Sequence, residues 1–147
     1  MYKDVEIQLR VDVAVSRGLR LPRWGWATPG PYNGATGAER VLGWQKLVTA
    51  CRAGWLPWPH ECSICGRDRN LHQHSENYFR PLVVEAVCRS CHFRVHDRFK
   101  RPEPWQELVD RYRLRCAWVA SIGVIELSRA QARELATRAD PRAYCAA

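Results

Sequence analysis

The chain has 147 residues, 46% of them apolar, and its 23 basic and 15 acidic side chains give a net charge of +8. This length suits one domain with added arms and excludes a barrel enzyme of about 250 residues; the apolar share excludes wholesale disorder. Lys3, Lys46 and Lys100 are the only lysines, so arginine dominates the positive charge, and its planar fork suits bidentate partners such as the phosphates of nucleic acid.

From the N-terminus, Val5, Ile7, Leu9, Val11 and Val13 alternate with polar residues, the period-two signature of a half-buried strand. Val5, Leu9 and Val13 also share a helical face. Lys3, Asp4, Glu6 and Arg10 interrupt this stretch, so it has no signal-peptide core. The longest apolar stretch, Cys116 to Ile125, is about half a membrane span. These features predict a cytoplasmic protein without membrane contact, in which paired cysteines bind metal more often than they form disulfides.

The following RLPRWGWATPGPYNGATG is rich in proline and glycine and predicts a loop. Thr36 and Glu39 form a capping box that opens a helix with Val41, Trp44, Leu47, Val48 and Cys51 on one stripe, and Gly54 is its predicted stop. WLPWPH reads as an extended connector. Beyond the central cysteines, Pro102 and Pro104 break the chain, and Trp105, Leu108, Val109 and Tyr112 suggest a short helix. Ser128 and Gln131 form a second capping box, predicting a final helix of about three turns; the end, DPRAYCAA, is expected to fray.

Cys62-Ser63-Ile64-Cys65-Gly66 and Cys88-Arg89-Ser90-Cys91 carry the chemistry. A CxxC turn lets two thiolates reach one ion, glycine eases such a turn, and two turns complete a closed tetrahedral zinc site. A redox pair or buried free thiols are the alternative. Cys51 and Cys116 read as core residues and Cys145 as a tail thiol. All five histidines lie between residues 60 and 96. His92 and His96, four apart, share a helical face, and His72 and His74 share one side of a strand. His74, His92 and His96 could form a second, open metal site; extra zinc ligands or solvated histidines are the alternatives.

CSICG, HSENYFRPL and VCRSCHFRVHDRF together resemble the zinc-stapled branch of HNH endonucleases. The similarity covers residues 60–101. It implies a small zinc-stapled ββα-metal core (HNH-like, treble-clef-type); with the elements read along the chain, this gives an α+β protein with an N-terminal arm carrying one amphipathic helix over 1–59 and a helical tail over 102–147. It further implies that Cys62, Cys65, Cys88 and Cys91 hold structural Zn2+. His74, His92 and His96 match the ligands of a second divalent ion: Mg2+, Mn2+, Ni2+ or Zn2+. The position of the family's general-base histidine falls on Ser75, whose hydroxyl is a poor base near neutral pH. The orienting asparagine position falls on Val83. A one-residue shift would make His74 the base and leave Gln73 as ligand; His72 is another candidate base, and Glu76 or Asn77 could supply an acceptor near the metal.

The resemblance implies metal-dependent hydrolysis of phosphodiester bonds in DNA, with Arg80, Arg89, Arg94, Arg98, Lys100 and Arg101 on flanking phosphates. Arg94, Arg98 and Arg101 would share a helical face, which could equally be a solvated one. The base position keeps a second reading open: a degenerate zinc module that binds nucleic acid, or a protein partner, without cutting.

Overall fold

In a computed structural model, residues 3–138 are described. Cys145 and the DPRAYCAA end lie outside them. The elements in chain order are α1 (Lys3–Ser16), α2 (Gly37–Arg52), β1 (Leu71–Ser75), β2 (Val84–Cys88), α3 (Arg89–Asp97), α4 (Pro102–Tyr112), α5 (Ala117–Ser121) and α6 (Arg129–Ala136). No helix among them is long and apolar enough to cross a membrane.

The N-terminal stretch is a helix, which corrects the predicted strand. It also buries a different face, since Ile7 and Val11 enter the core while Val5, Leu9 and Val13 stay exposed. Five alternating apolar residues satisfy both periods in part. Local chemistry favours the helix: Asp4 and Glu6 complement the first-turn dipole, and Glu6 pairs with Arg10 one turn on. Residues 20–36 contain no helix or ladder beyond one tight turn, as composition predicts. The Thr36–Glu39 box caps α2 with both of its hydrogen bonds. Leu47, Val48 and Cys51 are buried from its stripe, and Gly54 follows the helix at φ +74°. Pro102 begins α4 rather than breaking the chain, because the first helical position needs no N–H donor. The Ser128–Gln131 box opens α6 as predicted, but eight residues give just over two turns, not three.

β1 and β2 pair antiparallel, with Leu71 opposite Cys88 and Ser75 opposite Val84. The hairpin joins two cores. One gathers Ile7, Val11, Leu47, Ala50, Cys51 and Leu82 from α1, α2 and the hairpin loop, with Val84 against it. The other surrounds the cysteines with Ile64, Val87, Val95, Trp105, Leu108, Trp118 and Val119. Cys51 and Cys116 are buried, as expected of core thiols.

Arg80 fastens α1 to the hairpin loop. Its guanidinium donates to both Asp4 carboxylate oxygens at 2.7–2.9 Å, with 8% and 13% of the two side chains exposed. Arg80 is therefore a structural residue here, not one displayed for phosphate. Removing one partner strands the other charge away from water. Asp4→Ala should lower stability by about 2–3 kcal/mol, read from urea unfolding. The Asp4→Ala/Arg80→Ala double variant should lose less than the sum of the single losses; strict additivity would show that the pair is not coupled.

Candidate metal centre

The first CxxC lies on a tight turn in which the Gly66 N–H donates to the Cys62 carbonyl and the Cys62 N–H to that of Arg67. Gly66 sits at φ +79°, where a side chain would be strained, so its predicted role holds. The second CxxC spans the junction of β2 and α3, Cys88 being the N-cap of that helix. Ser63 donates its N–H to Ala86, locking the turn beside β2. All four sulfurs lie within 4.8 Å of one another, and those of Cys65 and Cys88 are 3.7 Å apart. A tetrahedral zinc with bonds of about 2.3 Å requires sulfur separations of about 3.8 Å. The cluster is thus compatible with structural zinc. The Cys91 thiol, facing Cys62, pulls the Cys62 thiol down to about 4 and is itself pushed up; burial raises Cys65. A bound dication would hold all four as thiolates.

The same helix builds the second cluster. Cys91 and Val95 point into the core, and the adjoining face of α3 carries His92 and His96, one turn apart. Their Nε2 atoms approach to 3.0 Å. β1 brings His74 against them, its ring centroid 5.3 Å from that of His92 and 5.1 Å from that of His96. The three donor atoms fall within 4.8 Å of each other, as spacing predicted.

His74 is 1% exposed. Its Nε2 donates to Glu76 Oε2 at 2.7 Å, while its Nδ1 is buried with no hydrogen-bond partner. A buried polar atom without a partner carries a free-energy penalty unless something meets it, and a lone pair beside two neighbouring imidazoles suits a cation. Burial lowers His92 to about 3 and His96 to about 2, so both are neutral near pH 7, the form that ligates. His92 Nδ1 faces His72 Nδ1 at 2.9 Å. His72 can thereby orient His92 as Glu76 orients His74, and its ring is exposed at the mouth.

Glu76 is itself held by Tyr32 Oη at 2.9 Å, Asn33 Nδ2 at 2.8 Å and the Arg98 guanidinium. Burial alone would raise this carboxyl, but the hydrogen bonds from His74 and Tyr32 and the charge of Arg98 prevail and lower it. Tyr32 and Asn33 are delivered by a two-residue turn in which Asn33 (φ 46°) and Gly34 (φ 75°) are left-handed, and Tyr32 and Ala35 exchange both backbone hydrogen bonds. Asn-Gly is the strongest short signal for such a turn, and the signal went unread in the sequence.

Several expected site residues have other roles. Arg98 is 1% exposed and bonded to Glu76, Tyr32 and the carbonyls of Val95 and Gly123, so it cannot reach a phosphate. Its helical face meets a buried acid. Ser75 donates its hydroxyl to the Pro81 carbonyl. Asn77 donates to Ala132 and accepts from the Phe79 N–H, so both of its polar ends serve the backbone. Arg89, Arg94, Lys100 and Arg101 are exposed, Arg101 beside Asp97. Arg40 of α2 was missed. It lies over the rings of Tyr32 and Tyr78, and with His72, Arg89, His92, Phe93 and His96 it lines a cleft of about 350 Å³ beside the histidines.

Searches of family models, of curated proteins and of solved structures find no match to this chain.

Two outcomes test the two clusters separately. Cys62→Ser, or a strong chelator, should unfold the cysteine core and lower the melting temperature, because structural zinc contributes folding energy; an unchanged melt would refute the staple. Glu76→Gln should weaken divalent-ion binding at the histidines by about 10–100-fold in a calorimetric titration while the tightly held zinc count stays the same.

Proposed function

We propose that the protein is a metal-dependent hydrolase of nucleic-acid phosphodiester bonds, DNA in the first instance, built on an HNH-like, treble-clef-type ββα core. The order of knuckle, hairpin and helix and the two donor clusters support the resemblance read in the sequence. One observation carries the hydrolytic part: the unpartnered His74 Nδ1, held toward His92 and His96 by the Glu76 hydrogen bond on the opposite nitrogen. A site meant only for shape would not need an oriented lone pair aimed at two histidines that line an open, basic cleft.

A divalent ion held by His74, His92 and His96 supplies Lewis-acid polarisation of a phosphoryl oxygen. Imidazole donors with no carboxylate among them favour Zn2+ or Ni2+ over Mg2+. The remaining work falls to the chain. Arg40 and Arg89 neutralise the phosphate entering the cleft. Glu76 keeps the His74 proton on Nε2. His72, whose Nδ1 accepts from His92 Nδ1 when that ring ligates through Nε2, keeps its own proton on the outer nitrogen, from which it can donate to a phosphate oxygen. Ser75 takes no part, since its hydroxyl is bonded to Pro81.

That same Ser75 bond favours the second reading, a module that binds nucleic acid without cutting. Nicking of supercoiled plasmid separates the two. The first reading expects nicking with Zn2+, Ni2+ or Mn2+, weaker or none with Mg2+, and its loss in His96→Ala. Plasmid that is bound but intact with every ion, with an affinity that falls steeply with salt, would establish the second.

A further inference from the structure

The hydrolytic reading leaves two exposed aromatic surfaces unexplained. Phe93 is 63% exposed on α3, next to a candidate ligand, and lines both the histidine cleft and a neighbouring cleft of about 480 Å³. Arg89 lies 5.6 Å from its ring, and Arg94, Lys100 and Arg101 border the second cleft; the one acid there, Asp97, is paired with Arg101. An apolar ring amid cations is a poor protein core and a good stacking surface.

The other surface is on the arm. Trp24, Trp26 and Trp44 meet edge to face, with centroids 4.9–5.9 Å apart. Trp24 and Trp44 are half-buried, and Trp24 Nε1 donates to Ala27, whereas Trp26 remains 67% exposed. The two inner rings therefore anchor the arm to α2 and hold the third outward. Residues 17–38 include Arg17, Arg20 and Arg23 and no acid. All three arginines are exposed, and none has a side-chain partner among the described residues. Trp44 follows Arg40 by four positions on α2, so the platform begins one helical turn, about 6 Å of rise, from the α2 wall of the histidine cleft. Phe93 stands on the α3 wall.

We propose that the protein takes single-stranded nucleic acid across this cleft, with bases stacked on Phe93 at one wall and on Trp26 beyond the other. The inference rests on the nucleic-acid reading of the site and names its substrate class. In a duplex the faces of the bases are covered by their neighbours, so outward rings gain little from it; an unpaired strand offers every base face to an aromatic platform and its phosphates to the intervening arginines. Exposed arginines around each ring favour this polyanion over an apolar protein partner.

The test uses the full, zinc-loaded chain and a labelled mixed-sequence DNA oligonucleotide, single-stranded and annealed, in fluorescence anisotropy. The single strand should bind at least about ten-fold more tightly than the duplex. Phe93→Ala and Trp26→Ala should each weaken single-strand binding about ten-fold, within the range of one lost base stack, and leave duplex binding within about two-fold. Phe93→Trp and Trp26→Phe should retain the wild-type affinity, which separates stacking from loss of fold. Equal affinity for both forms, wild-type binding by the two alanine variants, or a stable complex with another protein in place of any nucleic-acid binding would overturn the proposal. Single-strand binding without cutting in any ion would remove the hydrolytic reading and leave this one; cutting of duplex with equal binding of both forms would do the reverse.

Discussion

Glu76 carries its charge where water is excluded, and the arrangement of the histidine centre follows from how that charge is satisfied. A buried carboxylate is tolerated only when donors surround it. Here the donors come from a turn in the arm (Tyr32 and Asn33), from β1 (His74) and from beyond the last turn of α3 (Arg98). Each donor is thereby fixed by the others. Tyr32, which receives a hydrogen bond from Arg98, packs its ring 4.6 Å from that of His96. One acid thus sets the tautomer of His74, the docking of the arm and the packing beside His96.

The cysteine cluster performs a different task. It lies in the core that α4 and α5 complete, and it fixes where β2 ends and α3 begins. Because α3 starts at Cys88, the stagger of Cys91, His92, Val95 and His96 around it is set by the knuckle. The cysteine cluster therefore aims the histidine cluster, and the two share a helix without sharing a donor.

Local chemistry was legible in the sequence. Both capping boxes, both CxxC turns and the His92/His96 face depend on residues within a turn of each other. What escaped was long-range. Helical spacing grouped Arg94, Arg98 and Arg101, yet it is silent on an acid 22 positions upstream that claims Arg98. Arg80 was displaced from its expected role by Asp4, 76 residues away. The arm at Tyr32 and Arg40 reaches the site only through tertiary packing, although Asn33-Gly34 marked the turn that makes this possible. The first helix failed for another reason: its pattern fits two periods, and the charges of its first turns decide for the helix.

The turn at Asn33 also bears on the order in which the molecule assembles. Asn33 bonds Glu76, 43 residues away, while its backbone N–H reaches Glu126 and its side-chain oxygen accepts from the Leu127 N–H, 93 and 94 residues away. The four cysteines, by contrast, span only residues 62 to 91. Closing the shorter loops costs less entropy and proceeds faster. The knuckle and hairpin can form while both ends of the chain are loose, with His92 and His96 already on their helix. The orientation of His74, by contrast, depends on Glu76 and so on an asparagine that ties the arm to the segment before α6. The cysteine scaffold thus rests on short loops, whereas the setting of the histidine cluster rests on long ones.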